Sequence, residues 1–453
     1  MGRRRHQASR PASLDTSSSS SPHATPISSR SPSSAGLQSG ATTPTRRKPS
    51  PSKQQVLEML KDQPNEKKWR NWWTRTFWTL IMIGGFFLIL AAGPFWVVTL
   101  VILVQTLVYK EVIAIAHVPS KERKLPWFRV LNWYFLFSTT YYLYGESLSH
   151  YFKQSVLVDA FLQPLATYHR FISFVLYTIG FVIFVGNLKK GHYKFQFAQF
   201  AWTHMALLLV IVQGHFTMNN ILEGLIWFFL PASLVICNDI FAYICGFFWG
   251  KTPLIKLSPK KTVEGFMGGW LCTILWGILT TQVLLHFKYM LCPAKEFGQS
   301  VWTDVDCELN PVFIPQRFHL SPWLSALVSR LLFTTVKEVW IAPMQFHTVA
   351  LACFASLIAP FGGFFASGVK RAFHIKDFGD SIPGHGGLTD RMDCQFLMGV
   401  FSYMYYQTFI KTYTLDVGTV LHTIVRGLSS EDQLELYRDL GVYLEGQELL
   451  GNS

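Results

Sequence analysis

The chain has 453 residues, half of them hydrophobic, and 15% of them charged, against about 25% in soluble domains. That deficit excludes an ordinary soluble globular protein and predicts an integral membrane protein. The net charge is +13, and residues 1–70 supply +9 of it, with thirteen Lys/Arg against four Asp/Glu. A basic tail fits either nucleic acid or an anionic membrane surface. Ahead of apolar helices, orientation and attraction to anionic lipid are the favoured reading, and no nucleic-acid partner is expected.

Residues 1–55 are rich in Ser, Pro and Thr and nearly lack large apolar side chains. They cannot bury a core and are expected to be disordered. Ser21-Pro22, Thr25-Pro26, Ser31-Pro32 and Thr43-Pro44 read either as targets of proline-directed kinases or simply as part of that composition. No apolar run follows the first arginines, which predicts no cleavable signal peptide.

Hydropathy predicts about nine spanning helices, near 76–91, 94–109, 127–144, 170–188, 197–214, 220–248, 266–287, 346–366 and 395–411. Gly93 and Pro94 force a tight turn between the first two. With nine alternating helices, the N-terminal tail shares one face with the basic clusters Lys110/Lys121/Arg123/Lys124, Lys189/Lys190/Lys194, Lys251/Lys256/Lys260/Lys261 and Lys370/Arg371/Lys376/Arg391. The positive-inside rule makes that face cytoplasmic and puts the C-terminus on the other.

Residues 288–345 form a long polar insertion on the opposite, luminal face. Its Cys292 and Cys307 read equally as a disulfide or as free thiols. The other five cysteines lie in or beside apolar runs and read as buried hydrophobes. Near the C-terminus, Ser430, Glu431, Asp432 and Gln433 read as a capping box that opens an amphipathic helix with Leu434, Leu440 and Leu444. That helix suits surface packing or an interaction element.

The chemistry concentrates between Ser367 and Asp393, expected as a loop between two apolar helices. Asp377, Asp380, His385, Asp390 and Asp393 are potential ligands, and Lys370, Arg371, Lys376 and Arg391 are cations. Gly379, Gly384, Gly386 and Gly387 let backbone approach a ligand closely. Cations neutralise a triphosphate, and carboxylate oxygens suit Mg²⁺. The set therefore points to phosphoryl or nucleotidyl transfer, which depends on positioning and charge stabilisation. Asp390 and Asp393 are three apart and share a helical face if the next helix has begun by Asp390. A second segment lies upstream. Asp239 sits deep in the apolar run Ile221–Trp249, where a carboxylate marks a functional site by default. Beyond that run, Ser258, Lys260, Lys261, Thr262 and Glu264 offer hydroxyls and charges.

The order and spacing of Ser367, Lys370-Arg371, Lys376-Asp377, Gly379, Pro383, His385-Gly386-Gly387, Asp390-Arg391 and Asp393 closely resemble the signature of the CDP-diacylglycerol synthase (phosphatidate cytidylyltransferase) family. Asp239, Ala242, Tyr243 and the segment from Ser258 to Glu264 resemble its second block, while the tail and insertion look like longer eukaryotic members. The resemblance implies transfer of the cytidylyl group of CTP to phosphatidate, Mg²⁺ with K⁺ also associated, a homodimer, membrane-lipid partners and the endoplasmic reticulum. It casts Lys370, Arg371, Lys376, Asp377 and Asp390 as catalytic. Ser258, Lys260, Lys261, Thr262, Glu264, Ser367, His385, Gly386, Gly387 and Arg391 bind substrate, and Asp239, Asp377, Asp390 and Asp393 hold metal. Nothing in the residues alone selects cytosine. A CTP-dependent membrane lipid kinase, such as a polyprenol kinase, would use a similar site and transfer the γ-phosphate. A transporter would string polar residues through several helices, and an inactive scaffold would lack the carboxylates. The expected organisation is an all-α polytopic chain: a tail over 1–70, N-terminal helices over 71–215, a catalytic region over 216–411 and an extension over 412–453.

Overall fold

The computed structural model describes residues 65–122, 127–151, 165, 167–255, 257–294, 298–333, 335, 337–382, 386–412 and 417–447. Residues 1–64 of the expected tail, with Pro383, Gly384 and His385, lie outside them, while residues 65–70 are helical. The architecture is helical. The N-terminal half runs α1 Asn65–Ala92, α2 Pro94–Glu122, α3 Trp127–Tyr151, α4 His169–Gly186, α5 Tyr193–Ala206 and α6 Gln213–Glu223. A π-helical turn, Leu207–Val212, joins the last two. Then come α7 Ile226–Trp249, the hairpin strands β1 Pro253–Ile255 and β2 Ser258–Thr262, and α8 Val263–Leu284. The insertion holds a short helix α9 Lys288–Leu291, strand β3 Gln316–His319, helix α10 Pro322–Leu332 and strand β4 Glu338–Ile341. The chain continues as α11 Met344–Leu357, α12 Pro360–Ala372, α13 Thr389–Phe409, α14 Val417–Gly427 and α15 Ser430–Gly446. Two antiparallel two-stranded sheets, the hairpin β1–β2 and the pair β3–β4 with α10 between its strands, are the sheets among the described residues.

Seven stretches are long and apolar enough to cross a membrane: Trp72–Ala92, Pro94–Ile115, His169–Gly186, Tyr193–Glu223, Ile226–Trp249, Val263–Leu284 and Met344–Ala372. The segments expected near 127–144 and 395–411 are helical too, as α3 and α13, but are more polar than these seven. The expected span over 220–248 is two helices. It breaks at Gly224, whose φ of +141° suits glycine and whose Cβ, were there one, would sit 3.0 Å from the Leu291 carbonyl. Large apolar side chains such as Phe171, Phe174, Leu208, Leu271 and Leu275 face outward, as lipid-facing helices require.

The core lies where α2, α6, α7 and α13 meet. Trp227 is 1% exposed and packs on Tyr406 with centroids 4.8 Å apart. Phe354 of α11 stacks on Phe401 of α13 at 3.7 Å. Between α6 and α13, the Asn220 amide donates to the Gly399 carbonyl at 2.8 Å.

Hydrogen bonds define two faces. The α1–α2 turn meets the insertion, with Tyr289 Oη donating to the Leu90 carbonyl at 2.6 Å and the Val301 N–H to Ala91 at 3.0 Å. The α6–α7 turn joins the same face through the Ala294 N–H on the Leu222 carbonyl, and the end of α13 joins it through Asn310 Nδ2 on the Ile410 carbonyl. There Glu223 pairs with Lys411 at 2.5 Å and accepts from Tyr406 Oη at 3.0 Å. Helix α1, 28 residues long, rises about 42 Å, so its start lies on the opposite face. The C-terminal extension follows Lys411 and leaves from the insertion side. Its last helix is capped one residue earlier than the sequence suggested. Ser429, not Ser430, is the N-cap, its hydroxyl accepting from the Asp432 N–H at 3.2 Å.

The disulfide left open by the sequence is formed, between Cys292 and Cys307. The remaining five cysteines are free, three of them buried. After denaturation, maleimide should therefore label five thiols without reductant and seven with it, read by intact mass. Seven without reductant would contradict the bridge.

Candidate active site

The site begins with two helices that approach closely. A Cβ on Gly265 of α8 would sit 2.5 Å from the Ala242 carbonyl of α7, and one on Gly269 would sit 3.0 Å from the Ala242 methyl. Gly265 and Gly269 are four apart, the small-residue spacing that lets membrane helices touch. Hairpin β1–β2 connects the two helices and is held locally. Thr262 caps α8 by accepting from the Gly265 N–H at 3.2 Å. Glu264 accepts from the Lys251 N–H at 3.1 Å, the Thr252 N–H at 3.2 Å and the Thr252 hydroxyl. Thr262 and Glu264, expected to bind substrate, thus have partners inside the protein. Ser258 pairs with Ile255 across the turn, and the Lys260 side chain lies outside the described residues.

The stretch from Ser367 to Asp393 is a loop only in its middle. Ser367, Lys370 and Arg371 ride on α12, where Pro360 occupies the first turn. The Ser367 hydroxyl donates to the Gly363 carbonyl at 2.8 Å. Helix α13 has begun by Thr389, so Asp390 and Asp393 share its first turns as expected. Their partners differ. Asp390 pairs with Lys370 at 2.6 Å and accepts from the Phe378 N–H at 3.0 Å, which folds the loop back on both helices. Asp393 turns towards α12, its Oδ2 lying 3.3 Å from where a Gly363 Cβ would be.

Across from Asp393 stands Asp239. The two carboxylates are within electrostatic range of each other, and Lys261 is within range of both. Arg391 also acts on Asp239. The Lys261 ammonium lies 5.0 Å from the Phe364 ring centroid, a cation–π contact. Asn238, beside Asp239, is 3% exposed, and its amide oxygen has no hydrogen-bond partner among the described residues. The structure thus brings together Asp239, Lys261, Arg391 and Asp393 from the two sequence blocks. Asp377 lies beside the glycines, its Cγ 3.5 Å from where a Gly386 Cβ would be and its carboxylate 3.9 Å from the Lys376 ammonium. The Lys376 side chain is 95% exposed, against 20% for that of Lys370. Arg371 is exposed as well.

The donor set can be tested against Mg²⁺. Among the described residues, no group of three His, Cys, Asp or Glu side chains is placed to hold an ion unaided. Mg²⁺ is commonly held by one or two carboxylates, with water and substrate phosphates completing six oxygens. Asp239 and Asp393 fit that requirement; the Asn238 amide oxygen lies against Gly269 of α8 instead.

Sequence reasoning missed Glu111. It lies in α2, 7% exposed, and grips the far arm of the loop. Its Oε1 accepts from the Ser381 hydroxyl and from the Leu388 N–H at 3.0 Å. Its Oε2 accepts from the Thr389 N–H at 2.8 Å and the Thr389 hydroxyl at 2.7 Å. The one available signal was an acid at the end of an apolar helix, beside Lys110, in a stretch read as a basic cluster.

Comparison with known proteins follows the same residues. The profile of the cytidylyltransferase family matches residues 73–409. A Schizosaccharomyces pombe relative is 56% identical over 375 residues, 83% of this chain and 84% of that protein. The phosphatidate cytidylyltransferase of Saccharomyces cerevisiae is 48% identical over 371 residues, 82% of this chain and 80% of that protein. Phosphatidate cytidylyltransferase 1 of Rattus norvegicus is 46% identical over 403 residues, 88% of this chain and 85% of that protein.

The packing makes Gly387 a sharp probe. An added Cβ would lie 2.8 Å from the Gly379 nitrogen and 3.0 Å from both Asp390 Oδ2 and Glu111 Oε2. Gly387→Ala should displace the loop and lower turnover by on the order of tenfold or more, measured on detergent-purified protein whose thermal midpoint is checked in parallel. Unchanged turnover would mean that this packing is not needed for the reaction.

Proposed function

The chain belongs to the cytidylyltransferase family, and on that premise we propose that it transfers the cytidylyl group of CTP to phosphatidate, giving CDP-diacylglycerol and pyrophosphate. The observation that carries the site assignment is the convergence of Asp239 on α7, Lys261 on β2 and Asp393 on α13, the last from a segment distant in sequence from the other two. A phosphate oxygen of phosphatidate forms the new P–O bond at the α-phosphorus of CTP. The bond from that phosphorus to the α,β-bridging oxygen breaks, and pyrophosphate leaves with the electron pair. Phosphatidate is already anionic at neutral pH, so no general base is required. The remaining task is neutralising charge and aligning two anions.

Lys261 and Arg391 lie beside the carboxylates and face the triphosphate. Arg371 and Lys376 are open to solvent and meet the phosphates or the lipid headgroup. Lys370 is paired with Asp390 and holds the loop. Asp239 and Asp393 would hold Mg²⁺, which supplies charge neutralisation at the phosphates when bound. Asp390 serves the loop, and Asp377 lines its outer arm. K⁺ is a further cation that the family resemblance implies.

We extend the reading to cell context. The basic clusters that share a face with the signature support a cytoplasmic active site in the endoplasmic reticulum membrane. The disulfide of the insertion supports an oxidising lumen on the other face. A homodimer is proposed on the family resemblance alone.

Purified protein given phosphatidate and each nucleoside triphosphate should release pyrophosphate and form CDP-diacylglycerol with CTP. Release of CDP with a phosphorylated lipid would establish the kinase reading instead. Asp239→Asn and Asp393→Asn should each lower turnover by on the order of a hundredfold and raise the Mg²⁺ concentration needed for half-maximal rate. Unaltered Mg²⁺ dependence in both would rule out the metal assignment.

A further inference from the structure

Helix α13 carries Asp390, Arg391 and Asp393 in its first turns, yet its N-cap is Leu388, whose side chain accepts no hydrogen bond. A helix start leaves backbone N–H groups without intrahelical partners. Here Glu111 accepts from both Leu388 N and Thr389 N, from a position 277 residues earlier in the chain. It caps α13 from another helix and also takes the hydroxyls of Ser381 and Thr389. Ser381 precedes the glycines that pack beside Asp377 and Asp390, and Thr389 follows them. The carboxylate therefore closes the loop at both ends of that glycine segment.

We infer that Glu111 is a positioning residue of the transfer reaction, holding Ser381, Leu388 and Thr389 so that Gly386, Gly387 and the first turns of α13 face the substrates. The inference rests on the reaction proposed above. Each carboxylate oxygen receives one backbone N–H, which cannot reverse its role. Glutamine has nearly the same shape, but its NH₂ group would point at one of those N–H groups. Glu111→Gln thus breaks one arm of the clamp without removing volume. Solvent exposure, charge near the phosphates and direct metal binding are not needed for this role, since the side chain is buried and its oxygens are occupied by loop donors.

The test uses full-length protein in detergent micelles or nanodiscs. Glu111→Gln should lower kcat by on the order of tenfold to a hundredfold while KM for CTP moves much less, because misplacement acts on the transition state. Independently of activity, tryptic cleavage after Lys376, followed by mass spectrometry, should quicken several-fold as the loop opens. Thr389→Val removes one hydroxyl donor and should move both readouts in the same direction by less. It carries the test if Glu111→Gln does not fold. A folded variant in which either readout stays at the wild-type level overturns the inference. Tyr289→Phe, which removes the hydrogen bond to the Leu90 carbonyl at the insertion face, is the control for general destabilisation and should lower the thermal midpoint with kcat per folded enzyme unchanged. Wild-type protein that makes no CDP-diacylglycerol would overturn the proposed reaction, while the cleavage readout still reports on the clamp.

Discussion

Helix α13 is held at both ends by carboxylates that belong to other helices. Glu111 of α2 meets its first N–H groups, and Glu223 of α6 meets Tyr406 and Lys411 at its end. A carboxylate within apolar surroundings is costly unless it is paired or hydrogen-bonded. Both are satisfied by groups on α13 or immediately beside it, so moving the helix would strand two charges at once. The depth of α13 sets where Asp393 stands, and with it the distance to Asp239. Packing alone would leave more latitude, because lipid solvates an apolar helix face about as well as another helix does.

The opposite wall is set by a different device. Glycines on α8 bring its backbone onto α7, and hairpin β1–β2 closes the end of that pair. Glu264 and Thr262 fix the hairpin through short-range bonds, so Lys261 projects from a rigid base. One wall thus depends on long-range ionic capping and the other on local close contact. The two meet at the Asp239–Lys261–Asp393 group, where neither segment supplies enough charge alone.

Much of this was legible in the sequence because it is periodic or contiguous. Apolar runs announced the helices, Gly93-Pro94 announced the first turn, and Asp390 and Asp393 announced a shared helical face. What failed was of another kind. The helix expected to end near 366 runs on through Gly368 to Ala372, although glycine disfavours helix, and there Gly368 lies against Leu257 of the hairpin turn. Gly224 breaks an uninterrupted apolar run, since hydropathy carries no information on φ. Glu111 was invisible for the strongest reason, since its role is defined by donors 270 to 278 residues away and no local pattern encodes such a contact.

The charges within the signature divide into two kinds, and the division follows from burial. Lys370 is largely buried and within 2.6 Å of Asp390. Its ammonium and that carboxylate neutralise each other, and they brace the loop. Lys376 is almost fully exposed, and its separation from Asp377, 3.9 Å, is at the limit of an ion pair, where screening by water leaves little attraction. A triphosphate entering the site displaces water from exposed cations readily but must break a salt bridge to recruit a buried one. On the proposed reaction, the exposed set, with Lys261 near the two carboxylates, is the one open to substrate. The buried set preserves the geometry on which that availability depends. A motif that reads as one block of catalytic residues is, in three dimensions, a buried frame and a set of exposed cations interleaved along the same chain.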